Sequence, residues 1–372
     1  MWRVISPHLF FKIKERIFMR YAILGDIHFG VKGNDPTFLK HQLDYLESVI
    51  QYVKKNNIDG IIQLGDTFHN RFTTNNFLMT EITHKFFDRL NQEQIESYFI
   101  VGNHDQVHKD DNTHSPLYSF RSKYIHVITK PKIIDNKIGL IPYSFEKLPK
   151  VKYLCGHFDI QGFKMNNSKL SEEGYKPSDF KDYIVYSGHY HTPSNSGNIN
   201  YLGTPFQLDF NNFGDNLGFL VLDTETGETF FNENTISPEH VTITYIEDED
   251  GLKLLYNNGK LEDVVISEDE IDNIINKRQD YVKLIIKSCI KRTNLDRVKQ
   301  KIDNLIKEEN KDIFKAINLN DVDIELSSIP ETFSNYLDFL QEDLKVPKRV
   351  NIAEVKVIFN DYIKNYEEMM NE

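Results

Sequence analysis

Short apolar runs punctuate the first two thirds of the chain, and five of them end in glycine followed by a potential metal ligand: Leu24-Gly25-Asp26, Leu64-Gly65-Asp66, Val101-Gly102-Asn103, Cys155-Gly156-His157 and Ser187-Gly188-His189. This spacing predicts five buried strands, each delivering a ligand at its C-terminal end, where an open α/β sheet builds its active site. Between the first two runs, Leu39, Leu43, Leu46, Ile50 and Val53 recur in alternating steps of four and three, the stripe of an amphipathic helix. Leu78, Ile82, Phe86 and Leu90 do the same between the second and third. The order strand, helix, strand, helix, strand predicts a parallel sheet with right-handed crossovers. Further strands are expected at Tyr124 to Ile128, Lys137 to Ile141, Tyr153 to Cys155, Tyr183 to Tyr186, Tyr201-Leu202 and Leu217 to Leu222. Their spacing suggests a second, more mixed sheet packed on the first as a sandwich.

The glycine-ended pattern stops after Ser237-Pro238, which sets a domain boundary. The expected organisation is a catalytic α/β domain over 19–236 and a smaller α+β module over 237–328, followed by a helical tail over 329–372. The module should hold strands near Val241 to Ile246 and Val282 to Ile286 and a helix from Asn294 to Glu308. In the tail, Phe333, Leu337, Leu340 and Leu344 form one apolar stripe and Val355, Phe359, Ile363, Tyr366 and Met370 another, surfaces for self-packing or for a partner. Met1 to Phe18 mixes aromatic and charged residues without the apolar core of a signal peptide. Residues 1–18 are therefore expected to be a poorly ordered extension, with Met19 a candidate start.

The 372 residues are enough for two or three domains. Two distant cysteines, Cys155 and Cys289, argue against a disulfide framework and for a reducing, cytoplasmic setting. Charges interrupt every apolar run, so no membrane span is expected. The net charge of -12 opposes nucleic-acid binding on average. Its distribution does not: from Lys277 to Lys301 nine basic residues face only Asp280 and Asp296. Lys283, Lys287, Lys291, Arg292 and Arg297 of this segment are candidate phosphate contacts, or else simply a solvated face.

Asp26 and His28 are two apart at a strand end, as are His189 and His191, which keeps each pair on one side of the chain while it stays extended. Tyr190 should then point away. Asp66, Asn103 and His157 add three more donors. A Gly-Asp after a strand is ordinarily a turn and a lone histidine ordinarily hydrogen-bonded, but their conjunction at five strand ends is not so explained. Seven carboxylate, amide and imidazole donors exceed the needs of one ion, and two cations roughly 3.5–4 Å apart sharing a carboxylate is the economical arrangement. Mixed nitrogen and oxygen ligation disfavours Mg2+ and allows Mn2+, Fe2+, Co2+ or Zn2+. His41, His84, His108, His114 and His126 have no motif around them.

Asp26-x-His28, Gly65-Asp66, Gly102-Asn103-His104-Asp105, Gly156-His157 and Gly188-His189-x-His191 resemble the five motifs of the calcineurin-like metallophosphoesterases over about Tyr21 to Phe230. Within that superfamily, Gly65-Asp66-Thr67-Phe68-His69 and Tyr201-Leu202-Gly203-Thr204-Pro205 are similar to SbcD-type double-strand-break repair nucleases. Length and a two-helix tail most resemble the recombination endonuclease subunits of T-even-type bacteriophages. The resemblance implies a four-layer α/β/β/α core with a cap domain. It implies one metal on Asp26, His28 and His191, the other on Asn103, His157 and His189, and Asp66 bridging them, with Mn2+ favoured. It further implies hydrolysis of DNA phosphodiesters at broken ends, exonucleolytic and endonucleolytic, in a complex with an SbcC-like coiled-coil ATPase and as a homodimer in the cytoplasm of a host cell.

His104, left out of the ligand set, would then donate a proton to the leaving oxygen, with Asp105 orienting its imidazole. His69 would position DNA, act behind the ligands, or merely enter a helix. The basic segment would lie in the cap and the tail stripes would receive the ATPase. The rivals are a metallophosphatase or cyclic-nucleotide phosphodiesterase on the same fold, against which the cap, the tail and His69 argue, and a non-catalytic scaffold, which would be expected to have lost ligands.

Overall fold

A computed structural model describes residues 19–271, apart from 72–74, 167–168, 249 and 268–269, together with strands Tyr281–Lys287 and Phe314–Asp321. The extension over 1–18, the helix expected from Asn294, Lys291, Arg292, Arg297 and the tail stripes lie outside the described residues.

Four parallel strands open the fold: β1 (Arg20–Leu24), β2 (Gly60–Gln63), β3 (Glu96–Ile100) and β4 (Ile125–Ile128). Helix Pro36–Lys55 joins the first two. Proline in its first turn needs no N–H partner, Asp35 Oδ1 accepts the amides of Thr37 and Phe38 at 2.8 and 3.2 Å, and two lysines end it against the helix dipole. The predicted stripe from Leu39 to Val53 is its buried face. The second helix runs Asn76–Ile82, widens through a π-turn at Thr83–Phe87 and continues as Asp88–Gln92. The widened turn places the consecutive Phe86 and Phe87 both in the core.

The chain then builds β5 (Lys132–Ile134), β6 (Ile138–Ile141), β7 (Tyr153–His157), the hairpin β8 (Lys164–Asn166) and β9 (Lys169–Leu170), β10 (Ile184–Gly188), β11 (Ser194–Ser196) and β12 (Ile199–Tyr201). It returns as β13 (Gly218–Asp223) and β14 (Thr229–Glu233). Two six-stranded sheets result, β14-β13-β1-β2-β3-β4 and β11-β12-β10-β7-β6-β5. Alternation along β1 explains their packing. Tyr21 and Ile23 join Ile138, Leu140, Tyr153 and Cys155 of the second sheet, whereas Ala22 and Leu24 face the helices. The sandwich predicted from strand spacing is therefore present, with mixed sheets and few helices. The outer side of the second sheet is covered by an aromatic cluster that includes Phe158, Phe180, Tyr190 and Tyr201. A short 3-10 turn at Pro177–Phe180 lies over it where an α layer was expected.

A third sheet, β17-β16-β15-β18-β19, combines β15 (His240–Asp248), β16 (Gly251–Asn257), β17 (Val264–Ile266), β18 (Tyr281–Lys287) and β19 (Phe314–Asp321). It meets the first body through Tyr281, which packs 5.9 Å from the Phe38 ring, and through the His240 amide, which donates to Gln207 Oε1 at 2.6 Å. Among the described residues no helix is long and apolar enough to cross a membrane.

Candidate metal centre

Three of the five glycine-ended strands, β1, β2 and β3, belong to the first sheet, and β7 and β10 to the second. The site is therefore shared by both layers at one end of the sandwich instead of lying in the crevice of a single sheet. There the seven predicted residues converge in two groups. Single ligand atoms from Asp26, His28 and His191 lie within 4.8 Å of one another, and so do those from Asp66, His157 and His189. Asn103 Oδ1 joins the second group, 2.9 Å from His157 Nε2 and 3.0 Å from His189 Nδ1. Asp66 Oδ2 reaches toward both, at 3.4 Å from His157 Nε2 and 3.9 Å from His28 Nε2.

The Asp26/His28 and His189/His191 pairs do not keep the extended backbone that their spacing predicts. His28 (φ 53°), Asp66 (φ 51°) and His189 (φ 90°) all occupy the left-handed region. The sharp turn at His189 sends it to one group and His191 to the other. Tyr190 does point away, stacking on Tyr201 at 4.6 Å and donating to the Asp159 carboxylate.

The glycines make the close approach possible. A Cβ on Gly102 would stand 2.2 Å from Asp66 Oδ1, and one on Gly188 2.3 Å from Asp26 Oδ1. These two glycines thus leave space for a carboxylate brought in by another strand, and Gly65 does the same for the His157 imidazole, whose Nδ1 would lie 2.3 Å from an added Cβ. Backbone groups then aim the donors. The His189 amide donates to both Asp26 oxygens at 3.2 and 3.0 Å, and the His104 amide to Asp66 Oδ1 at 2.8 Å. His157 Nδ1 lies 2.8 Å from the Leu64 carbonyl, so it carries the proton and leaves Nε2 for the centre.

Imidazole nitrogens face each other across both groups: His28 Nε2 and His191 Nε2 at 2.9 Å, His157 Nε2 and His189 Nδ1 at 3.3 Å. Two neutral imidazoles cannot both present lone pairs at such distances without a positive charge between them. Donors around a first-row ion at roughly 2.0–2.2 Å are themselves about 3 Å apart, so these residues fit divalent cations. The protonation pattern carries the same strain. Burial drives the Asp26 carboxyl well above its ordinary range and His28 well below its own. Burial opposes a charged His157, yet the Asp66 and Asp26 carboxylates raise it to about 9. Burial and the neighbouring His157 charge hold His189 down to about 4, and burial lowers His191.

His104 and His69 stand beside this centre. Their rings stack at 5.9 Å and 19°, and each meets the His28 ring edge-on, at 5.1 and 5.3 Å. His104 Nδ1 donates to the His69 carbonyl at 2.7 Å, which leaves Nε2 for proton transfer. Asp105 does not orient that imidazole, contrary to expectation. Fully buried, it accepts the amides of Thr67, Phe68 and Gly102 at 3.2, 3.0 and 3.0 Å, tying the Asp66 loop to the Asn103 loop. Burial, helped by the Asp66 charge, pushes its carboxyl up to about 7. Lys283 lies in β18 with Nζ 5.8 Å from the Phe210 ring centre, and Lys287 ends that strand.

Two contributors escaped the sequence reading. The Gln63 amide donates to the carbonyls of Gly25 and Gly65 at 3.2 and 2.5 Å, while its oxygen accepts from Gly65 N and Thr67 Oγ1 at 3.1 and 2.9 Å. A glutamine interrupting the run Ile61-Ile62-Gln63-Leu64 was the available signal. The Tyr143 ring stands 5.9 and 5.7 Å from the His157 and His189 rings, with no signal in its surroundings in sequence.

A family model described as calcineurin-like phosphoesterase matches residues 19–222, the span that carries all seven candidate ligands together with Gln63, His69, His104, Asp105 and Tyr143. The chain belongs to that family. This calcineurin-like phosphoesterase is a metal-dependent hydrolase of phosphate esters that uses divalent cations. It is 28% identical to "Exonuclease subunit 1" of Enterobacteria phage T4 over 340 residues, 87% of this chain and 94% of that protein. Among solved structures, TT1561 of Thermus thermophilus is 10% identical with a TM-score of 0.34, covering 58% of this chain and 98% of that one. The nuclease MPE of Pseudomonas putida is 15% identical with a TM-score of 0.28, covering 66% and 87%.

Proposed function

We propose that this phosphoesterase is a DNA nuclease that hydrolyses phosphodiester bonds at DNA ends during recombination and double-strand-break repair, both as exonuclease and as endonuclease. One observation carries the reading: the likeness to the phage exonuclease subunit extends over 94% of that protein, well beyond the catalytic span. That relative is named a subunit, which supports a second chain, and the partner proposed is an SbcC-like coiled-coil ATPase received by the tail over 329–372. Residues 237–328, with the third sheet, are proposed as a capping domain whose basic residues meet DNA. A homodimer within the complex and a cytoplasmic setting complete the proposal.

Asp26, His28 and His191 would hold one cation and Asn103, His157 and His189 the other, with Asp66 shared, and Mn2+ is the ion proposed. Such cations supply Lewis acidity toward a phosphate oxygen and lower the pKa of water. The protein's own groups do the rest. His104 Nε2 protonates the departing sugar oxygen as the P–O bond breaks, its ring fixed by the His69 carbonyl at 2.7 Å and its backbone by Asp66 at 2.8 Å. Asp105 keeps the loops bearing Asp66 and Asn103 in register. His69, stacked on His104, flanks the path of the strand.

The deciding assay follows Mn2+-dependent cleavage of end-labelled linear duplex and circular single-stranded DNA beside turnover of a phosphate monoester. Cleavage of both DNAs with little monoester turnover is expected. A monoesterase inert toward DNA would overturn the reading.

A further inference from the structure

Beside the metal centre the structure has a cavity of about 520 Å3 whose lining includes Tyr143, Phe145, Tyr175, Asp110 and Asp159. Its size falls in the range of small-molecule sites. Tyr143 joins the two sites, since its ring also packs against His157 and His189. The aromatic wall is built in place. Phe145 and Tyr175 stack at 5.3 Å and 28°, and Phe145 rests edge-on against the buried Phe158 at 5.7 Å. Tyr175 is bound through its backbone, its amide donating to the Asp159 carbonyl at 2.7 Å and its carbonyl accepting from Gln161 N at 3.0 Å. Its side chain remains exposed. A Cβ at Gly174 would fall 2.2 Å from the Asp159 carbonyl oxygen, so glycine is what lets the Tyr175 segment lie this close to the strand end that carries His157.

The polar groups of the cavity say which ligand it accepts. Asp110 has no side-chain hydrogen bond or ion pair among the described residues. Asp159 already receives the Tyr190 hydroxyl and, at 3.3 Å, Ser171 Oγ through Oδ1. Two carboxylates repel a phosphate but accept hydrogen bonds from N–H donors. Flat aromatic surface combined with carboxylate acceptors suits a planar, amino-bearing heterocycle.

We infer that this cavity is a nucleobase subsite, in which the base next to the scissile phosphate stacks on the exposed Tyr175 ring, backed by Phe145, and offers its exocyclic amino group to Asp110. The inference rests on the reading of the substrate as a nucleic acid. It adds that the base must leave the helical stack to enter, so the site takes unpaired or frayed nucleotides, and that adenine, cytosine and guanine are favoured over thymine, which has no amino group.

Mononucleotides test the subsite independently of nuclease activity. Isothermal titration of the Mn2+-loaded protein should show dAMP binding roughly 5- to 150-fold more tightly than 2-deoxyribose 5-phosphate, the worth of one base–aromatic stack. dCMP should bind roughly tenfold more tightly than dTMP, as a hydrogen bond to a charged acceptor predicts. Tyr175→Ala should abolish the first difference while leaving the affinity for 2-deoxyribose 5-phosphate unchanged, Tyr175→Trp should restore it, and Asp110→Ala should abolish the second. Equal affinity of wild type for dAMP and the sugar phosphate, binding of neither, or a base preference that survives Tyr175→Ala overturns the subsite. DNA cleavage without base preference would leave the nuclease reading intact, and base-selective binding without DNA cleavage would do the reverse.

Discussion

Gly188→Ala isolates the idea that the glycines of this site create space for ligands. Gly188 ends β10, and a methyl group there would stand 2.3 Å from Asp26 Oδ1, 2.8 Å from the Leu64 carbonyl oxygen and 3.1 Å from His157 Nδ1. Comfortable non-bonded contacts begin near about 3.5 Å, so the Asp26 carboxylate must retreat by about 1 Å. That movement breaks its bonds from the His189 amide at 3.0 and 3.2 Å and crowds the pairing of His157 Nδ1 with Leu64 at 2.8 Å. Overpacking of this kind costs about 1–3 kcal/mol of stability. Displacing groups that orient metal ligands lowers affinity about 10- to 100-fold. The stabilisation conferred by saturating metal should therefore shrink by about 1.4–2.8 kcal/mol per affected ion. Calorimetric titration of chelator-stripped protein with Mn2+, paired with thermal unfolding with and without the ion, measures both effects. Gly197→Ala is the control: its φ of 59° is left-handed, but nothing lies within 4 Å of the added carbon. It should cost only the backbone strain, about 1–2 kcal/mol, and leave metal affinity alone. Wild-type Mn2+ affinity in Gly188→Ala, or an equal loss in Gly197→Ala, would refute the steric reasoning.

Three further outcomes are expected. His104→Asn should retain both metals by elemental analysis yet lose about 100- to 10,000-fold in kcat on DNA, and less on bis-p-nitrophenyl phosphate, whose leaving group needs no proton; equal losses on the two substrates would remove the general-acid role. Gln63→Leu orphans buried backbone groups of the Gly25 and Gly65 loops and should cost about 1–3 kcal/mol for each group that finds no new partner, read from urea unfolding. Glu47 accepts two hydrogen bonds from Arg89, at 3.0 and 3.1 Å, and these hold its carboxyl below the ordinary value of 4.5. A depressed acid contributes stability above its unfolded pKa and loses that contribution as pH falls through the folded one. Glu47→Gln should accordingly lower stability near neutrality and flatten its decline below about pH 4.5, whereas an unchanged acid limb would show that the pairing contributes nothing.

The fold was legible where one face of an element is buried. Leu39 to Val53 and Leu78 to Leu90 repeat at helical spacing because each stripe packs on the first sheet, and the structure buries both. β14 and β17 were missed because Phe230, Phe231, Val264 and Val265 are exposed, so their apolar side chains mark no core face. The extra residue of the π-turn at Thr83–Phe87 was equally unreadable, since the Leu78, Ile82, Phe86, Leu90 series continues through it without a break.

The candidate site was legible as a set of residues but not as geometry. Glycine followed by a ligand is a local signal that marked five of the seven residues, and His28 and His191 were added by their spacing two beyond Asp26 and His189. Their division into two groups depends on which strand lies beside which, and that depends on two sheets meeting at one end. Even the local argument for the His189 pair assumed extended backbone, whereas His189 turns at φ 90° and separates from His191. Asp105 shows why proximity in sequence misleads about role. It adjoins His104, yet its carboxylate is directed into the protein, where three amides from two loops converge on it. A buried carboxylate that accepts three N–H groups cannot also turn to an imidazole without leaving donors unpaired. In the proposed reaction Asp105 would therefore act only by holding the Asp66 and Asn103 loops in register. Its replacement should disturb metal retention along with turnover, whereas replacement of His104 should disturb turnover alone.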